Sequence, residues 1–232
     1  MRNARRCFLF LSVCVLSTAL MLHPAMAADN TLTAEEQQQG WQLLFDGKSL
    51  NGWVPAGNKE SWLAQNGNIS CLGKGGHLLR TAGQYGNFVL SLEFKLTANA
   101  NSGVFIHWSD LNDWLNKSIE VQILDSFGKG RLSTQECGAI YDCLAPTKIA
   151  CRPIGVWNKM QITCDRNSIK VVLNGETITV MDTDQWSTAG MNPDGTKNKF
   201  KYALKELPHK GYIALQDHGM PVSFRNIKIL NL

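Results

Sequence analysis

Apolar residues at every second position are the feature that most restricts the fold of this chain. Phe88, Leu90, Leu92, Phe94 and Leu96 fall on one face of an extended segment, and the residues between them are mostly polar. Because successive side chains of a strand point to opposite faces of a sheet, this pattern predicts a half-buried strand rather than a helix. The same period returns later in the chain, so strands are predicted to dominate the fold.

The later segments with this period extend the prediction to an all-β architecture. They lie at 104–108, 119–124, 160–164, 169–173, 176–180, 212–216 and 222–230. Asn174-Gly175, between two of them, is the strongest short signal for a hairpin turn. With 20 glycines and few helical periods, the chain is predicted to form a β-sandwich or a jelly roll. The region 182–207, rich in Asn, Asp, Gly and Lys, is predicted to be a long loop over one end of the sandwich.

The first residues resemble an export signal rather than part of the fold. Three arginines precede a mostly apolar stretch at 8–22, and the sequence AMA at 25–27 is typical of a cleavage site. No other stretch approaches the length of a membrane span. We expect a secreted or periplasmic protein with a signal peptide at 1–27, a leader at 28–39 containing a helix start at 33–36, and one domain at 40–232.

Charge and cysteines narrow the choice of partners and compartment. Three of the 23 basic residues lie in the predicted signal, so the remainder nearly balances the 19 acidic residues. This balance argues against nucleic acid as a partner and suits an uncharged molecule such as a sugar. An oxidising compartment permits a disulfide within the cluster Cys137, Cys143 and Cys151. With Cys71 and Cys164 the cysteines after the predicted signal number five, so at least one thiol is free or paired between chains.

Two predicted strands carry polar side chains that could form a ligand surface. Glu120 and Gln122 share one face of the 119–124 strand. Glu120 is a candidate general base or metal ligand, or simply an exposed strand residue. His218 is a candidate acid, base or ligand, or a ring that bonds turn backbone, and Asp217 either orients it or caps a turn. A hard cation such as calcium could be held through oxygens by Glu120, Asp125, Asp217 and His218.

A second set of candidates would contact the ligand directly. His107 either reaches the ligand or packs as a core histidine. Arg225 either binds an anion or pairs with Asp217 or Glu120. The remaining candidates are Gln122, Gln216, Asn101 and Tyr141 through hydrogen bonds, and Trp114, in a loop expected to be exposed, through stacking. For Asn101 the alternative is a tight turn, and for Tyr141 it is a buried ring.

Short motifs follow one another in a fixed order along the chain. They are GWQLLFDGKSLNGW at 40–53, NSGVF at 101–105, EVQILD at 120–125, GAIY at 138–141, GVWN at 155–158, LNG at 173–175, LQDHG at 215–219 and FRNI at 224–227. The series resembles the 3-keto-disaccharide hydrolase domain family and covers nearly the whole chain after the leader. Where the family pattern often has Arg, this chain has His107. The resemblance implies a concanavalin A-like jelly roll with the ligand on its concave sheet.

The resemblance also implies a reaction, the cleavage of glycosides whose sugar carries a ketone at carbon 3. The ketone acidifies the proton on carbon 2, so a base removes it, the group on carbon 1 leaves, and water adds to the enone. This route needs a base, a stabiliser for the enolate oxygen and an acid for the leaving group. The one cofactor that the candidate residues could hold is a divalent cation such as calcium. Two rival functions suit the same fold, a non-catalytic carbohydrate-binding module and an extracellular structural or adhesion domain.

Overall fold

Two antiparallel sheets make up the protein in a computed structural model that describes residues 29–75 and 77–232. The predicted all-β sandwich is thereby confirmed. The signal predicted at 1–27 lies outside the described residues. Within the described part of the chain, no helix is long and apolar enough to cross a membrane.

The elements follow the order that the alternation predicts from residue 88 onwards. One helix, α1, spans Ala34–Gln38 and begins where Thr33 and Glu36 form a reciprocal capping box. The strands are β1 Gln42–Leu43, β2 Trp53–Ala56, β3 Trp62–Gln65, β4 Asn68–Leu72, β5 His77–Thr81, β6 Phe88–Leu96, β7 Asn101–Trp108, β8 Ile119–Leu124, β9 Trp157–Asp165, β10 Ser168–Leu173, β11 Glu176–Asp182, β12 Tyr212–Asp217 and β13 Pro221–Asn231. Short 3-10 helices span Lys59–Ser61, Thr183–Gln185 and Leu204–Glu206.

The two sheets differ in size and in role. The larger has the order β11-β10-β9-β6-β13-β4-β3, with β1 added beside β13, and the smaller has the order β2-β5-β12-β7-β8. The core lies between them. Ile119, Val121 and Ile123 of β8 enter this core and are at most 3% exposed. Since side chains alternate along a strand, Glu120 and Gln122 are turned to the outer face of the smaller sheet.

A bulge in β7 changes the direction of His107. Tyr212 pairs with Trp108 and Ala214 with Phe105, so β7 carries one residue more than β12 over this stretch. His107 takes up the extra length with φ +52°, in the left-handed region. Its Nε2–H donates to the Gly86 carbonyl at 3.0 Å, and burial lowers the pKa of the ring. Of the two alternatives for His107, contact with the ligand or packing as a core histidine, the structure shows the second.

All five cysteines that the structure describes are buried free thiols. The disulfide allowed by the sequence is not formed. Cys137 and Cys151 do lie together, but as two thiols joined by a hydrogen bond, which raises the pKa of Cys137 and lowers that of Cys151. Burial raises the pKa of Cys71 and of Cys143 to about 12 each, so these two thiols stay protonated and unreactive at neutral pH.

Candidate functional site

A pocket of about 260 Å³ opens on the outer face of the smaller sheet. Strands β5, β7, β8 and β12 supply its floor, and loops at 109–118 and 183–211 supply part of its wall. Its lining residues are His77, Leu78, Asn101, Trp114, Leu115, Glu120, Gln122, Tyr141, Lys199, Gln216, Asp217 and His218. The acid-bearing strand and the imidazole-bearing turn, far apart in sequence, therefore open onto the same hollow.

The floor of the pocket is a row of side chains centred on a glycine. Gly103 of β7 pairs with Gln122 of β8, and Gln216 of β12 follows Leu215, which pairs with Val104 on the other side of β7. A Cβ atom at position 103 would lie 2.5 Å from Oε1 of Glu120. Gly103 is thus needed because the carboxylate of Glu120 folds over it, between two amide side chains.

Glu120 is a buried carboxylate beside one cation. Its side chain is 6% exposed, and its Oε2 lies 3.3 Å from Nζ of Lys199, whose side chain is 14% exposed. Burial raises the pKa of Glu120, and this is the largest effect. The charge and hydrogen bond of Lys199 and the charge of His218 oppose it without cancelling it. A carboxylate with a raised pKa is a suitable general base near neutral pH.

Lys199 was not predicted from the sequence, because it lies in the long loop and belongs to no motif. Its neighbours fix its position: Phe200 is buried in the core, and the Asn198 side chain receives a hydrogen bond from the Phe200 N–H at 3.0 Å. The ammonium also lies 4.7 Å from the centre of the Tyr141 ring. The loop predicted at 182–207 thus carries the cation of the site.

Two amide oxygens in the floor are buried without a partner among the described residues. They are Oε1 of Gln122 and Oε1 of Gln216, and both side chains are less than one-tenth exposed. Nε2 of Gln122 donates to Oδ1 of Asn101 at 3.3 Å, so the amide nitrogen has a partner and only the Oε1 atom lacks one. A buried acceptor without a hydrogen bond is energetically unfavourable. Both oxygens can therefore accept hydrogen bonds from a ligand with donors such as hydroxyl groups.

Tyr141 stands beside Glu120 because its own segment runs along the edge of β8. The Tyr141 N–H donates to the Glu120 carbonyl at 2.9 Å, and the Gln122 N–H donates to the Ala139 carbonyl at 2.9 Å. Burial, followed by the charges of Glu120 and Asp142, raises the pKa of the Tyr141 phenol. The phenol therefore remains protonated and can donate a hydrogen bond into the pocket.

Asp217 caps the turn, whereas His218 faces solvent at the pocket mouth. Oδ2 of Asp217 accepts from the N–H groups of Lys74 and Gly75 at 3.0 and 3.1 Å, and Oδ1 accepts from that of Gly219 at 2.9 Å. The side chain is fully buried, and His218 is exposed. Three backbone bonds make Asp217 a positioning residue that holds the β12–β13 turn against the β4–β5 loop.

Asp217→Asn is expected to lower stability more than activity. An amide retains one acceptor oxygen, so at least one of the three bonds is lost, at about 1.5–3 kcal/mol for a bond to a charged group. Urea unfolding would show this loss, while turnover falls less than tenfold. A variant with unchanged stability and a hundredfold lower kcat would instead make Asp217 part of the chemistry.

Some of the other side chains that line the pocket were predicted from the sequence, and one was not. Trp114 and Asn101 line the pocket as predicted. His77 was missed, because its strand is short and lies among unpredicted ones. It pairs with Asp217 across β5 and β12, which brings a second imidazole to the wall.

Two predicted ligand contacts lie elsewhere in the structure. The β7 bulge turns His107 away from the pocket, to the Gly86 carbonyl. Arg225 belongs to β13 of the larger sheet, where Nε donates to Glu93 at 2.8 Å and Nη1 pairs with Asp29. The predicted alternative in which Arg225 forms an ion pair is therefore correct, but its partners are Glu93 and Asp29 rather than Asp217 or Glu120.

The calcium site suggested by the sequence is not assembled. Among residues 29–75 and 77–232, no three His, Cys, Asp or Glu side chains converge to hold a metal ion. Asp125 accepts a hydrogen bond from the Asn99 N–H at 3.1 Å, away from the pocket floor, and the oxygens of Asp217 are bonded to backbone. Only Glu120 and His218 of the four proposed ligands remain free to face the pocket.

A family model and a named relative, found by comparison with known proteins, agree with each other. Residues 40–230 match the model of a family described as the 3-keto-alpha-glucoside-1,2-lyase-like domain. A 3-keto-disaccharide hydrolase of Bacteroides thetaiotaomicron is 27% identical over 225 residues, which cover 82% of this chain and 78% of the relative.

Two crystal structures of proposed glycosyl hydrolases from Parabacteroides distasonis share the fold. The first is 36% identical with a TM-score of 0.75, covering 83% of this chain and 99% of the other. The second is 26% identical with a TM-score of 0.74, covering 88% of this chain and 100% of the other. With most of its length matched by the family model, the chain belongs to the 3-keto-alpha-glucoside-1,2-lyase-like domain family.

Proposed function

We propose that this protein hydrolyses 3-keto-glycosides of the disaccharide type by elimination followed by hydration. The observation that carries the proposal is the buried ion pair of Glu120 and Lys199 in a sheet-face pocket whose floor holds two unpartnered acceptors. The family and the named relative from Bacteroides thetaiotaomicron support this substrate class. Export through residues 1–27 remains a prediction from the sequence.

Glu120 is the proposed base that removes the proton from carbon 2 of the bound keto-sugar. The C2–H electron pair then forms the C2=C3 double bond, and the negative charge moves to the oxygen on carbon 3. Proton abstraction beside a ketone is favoured when the base has a pKa near the working pH. Burial, which raises the pKa of Glu120, moves it in this direction.

Lys199 is the proposed stabiliser of the enolate oxygen. Its ammonium lies 3.3 Å from Glu120, so a ketone next to the carbon that Glu120 deprotonates falls within its reach. A fixed cation in a site with little solvent stabilises developing negative charge more than it would in water. Tyr141, held protonated beside Glu120, can donate a second hydrogen bond to the same oxygen.

His218 is the proposed proton donor to the leaving oxygen. As the C3 oxygen re-forms its double bond, the C1–O bond breaks and the leaving alcohol takes a proton from the imidazolium. Water then adds at carbon 1 of the enone and gives one of its protons to the neutral imidazole, and the acid form of Glu120 returns a proton to carbon 2. One water is consumed per glycosidic bond, and both groups regain their starting protonation. The imidazole can exchange protons directly with solvent because it is exposed.

The floor of the pocket supplies recognition in this scheme. The unpartnered Oε1 atoms of Gln122 and Gln216 accept hydrogen bonds from two sugar hydroxyls. Asn101, bonded to Gln122, fixes the orientation of that amide. Since Gly103 has no side chain, the carboxylate of Glu120 can fold over the backbone of β7 and face the bound sugar from the floor.

The proposal is tested by incubating the purified protein with a 3-keto-disaccharide and separating the products. Release of both monosaccharides is the expected result, and with deuterium at carbon 2 the cleavage should slow. The unoxidised disaccharide, which lacks the acidifying ketone, is the matched control and should remain intact. A carbohydrate-binding module would bind the keto-sugar without cleaving it, and an adhesion domain would show no saturable binding of it. Either result would overturn the proposed function.

A further inference from the structure

The pocket is small for a disaccharide. Its volume of about 260 Å³ is just below the range of roughly 300–1,000 Å³ that is typical of pockets enclosing drug-sized ligands. One keto-sugar ring beside Glu120 therefore fills most of it. The group attached to carbon 1 must extend past the rim, so the residues at the rim decide which leaving group fits.

One side of this rim is apolar and begins next to the carboxylate of Glu120. Phe105 of β7 pairs across the sheet with Glu120 on one side and with Ala214 on the other. Phe105, Ala214, Leu78 and Trp108 form a small hydrophobic cluster separate from the main core. The outer face of the sheet is thus divided into a polar half around Gln122 and Gln216 and an apolar half around Phe105.

Trp114 covers this apolar half and remains accessible. Its ring meets that of Phe105 edge to face, with centres 5.4 Å apart and planes at 78°. It is nevertheless 37% exposed, and the next residue, Leu115, is 41% exposed. Both line the pocket. They present an indole ring and a branched alkyl group to any ligand group that extends past the rim on this side.

The loop that carries Trp114 is held in place by hydrogen bonds within it and to a neighbouring segment. The Lys117 N–H donates to the Asp113 carbonyl at 2.9 Å, and the Ser118 hydroxyl donates to the Trp114 carbonyl. Oδ1 of Asn116 accepts from the Lys201 N–H at 3.2 Å, which ties the loop to the segment carrying Lys199. Because the indole of Trp114 is already held in place, it loses little conformational entropy when a ligand binds against it.

From these observations we infer that Trp114 and Leu115 form a leaving-group subsite for an aromatic aglycone, so that the protein favours 3-keto-glycosides carrying an aryl or benzyl group. The inference rests on the proposed function for the orientation of the keto-sugar. A second sugar, as in the disaccharides of the proposed function, can also lie against this rim, but its hydroxyl groups meet two side chains whose one polar group is the indole N–H. An aromatic ring instead meets apolar surface and can stack on the indole.

The experiment compares benzyl and methyl glycosides, because their two alcohols are leaving groups of similar basicity. Binding is measured by calorimetry with unoxidised benzyl and methyl α-glucosides, which cannot undergo elimination, and turnover with the corresponding 3-keto-glucosides. We expect the benzyl compound to bind about tenfold more tightly and to give an about tenfold higher kcat/KM. Trp114→Ala should remove both preferences, and Leu115→Asn should reduce them.

Leu111→Ala is the matched control, since Leu111 is an exposed apolar residue of the same loop that does not line the pocket. It should keep the full preference. Equal binding of the two glucosides by the unaltered protein, or a preference that survives both Trp114→Ala and Leu115→Asn, would overturn the subsite. If no 3-keto-glycoside is cleaved, the proposed function fails, and the binding ratio alone still decides whether the aromatic subsite exists.

Discussion

Glu120→Gln is expected to lower kcat on a 3-keto-disaccharide by about 10³-fold, as is typical for loss of a general base. The amide keeps the shape of the carboxylate and its bond to Lys199 but cannot take the proton from carbon 2. Binding of the keto-sugar should change only a few-fold, because the floor acceptors of Gln122 and Gln216 are untouched. Steady-state kinetics and calorimetry measure the two effects separately.

Glu93→Gln is the control for this substitution. Glu93 is also a partly buried carboxylate in an ion pair, with Arg225 at 2.8 Å, but it lies on the larger sheet. Its loss should leave kcat unchanged. If Glu120→Gln retained more than a tenth of the original turnover while folded, another group would have to be the base.

The alternation along β8 was enough to predict the position of the main acid. Ile119, Val121 and Ile123 pack in the core, so Glu120 and Gln122 necessarily share the opposite face. The motif ending in His218 was likewise enough to place polar groups at the end of a strand. These predictions succeeded because they depend only on the two-residue period of a regular strand.

His107 shows where that period fails. Counting from Phe105 places His107 on the ligand face, but one extra residue in β7 interrupts the alternation of side chains there. The close approach of Gly211, where a Cβ would collide with the backbone of His107 and Trp108, is the structural counterpart of the bulge. Neither the bulge nor this approach of distant segments has a local sequence signal.

Lys199 and the early strands were missed for different reasons. Lys199 lies in irregular chain, where no periodicity relates a residue to a surface, and only tertiary contacts bring it to Glu120. Strands β1 to β5 are at most five residues long, too short for alternation to stand out. β2 also contains Pro55, which is tolerated because β2 is an edge strand of the smaller sheet.

Lys199→Met is expected to lower kcat/KM by about 10²–10³-fold at pH 7, since it removes the cation that we propose stabilises the enolate. It should also change the pH dependence. Lys199 opposes the effect of burial on the pKa of Glu120, so without it that pKa rises further. Glu120 acts as a base only when deprotonated. The acidic limb of the pH–rate profile should therefore move to higher pH, and part of the lost activity should return in alkaline buffer.

The same substitution predicts a dependence of stability on pH. With a pKa raised in the folded state above its unfolded value, Glu120 binds more proton when folded, so the free energy of unfolding falls as pH rises between those two values. Removing Lys199 raises the folded-state pKa of Glu120 further, so the pH interval between the two pKa values widens and more of the free energy of unfolding is lost across it. Urea unfolding of Lys199→Met and of the unaltered protein, measured from pH 5 to pH 8, should show the curves diverging as pH increases.

Lys201→Met and Lys199→Arg complete the test. Lys201 is an exposed lysine two residues along the same segment, and its loss should change neither profile. Arg at 199 keeps the charge, so it should hold the acidic limb near its original position even where its different shape lowers kcat. If the limb stayed in place in Lys199→Met, the ammonium would not control the protonation of Glu120. Its contribution would then be confined to the enolate, because the two effects of one cation are separable by pH.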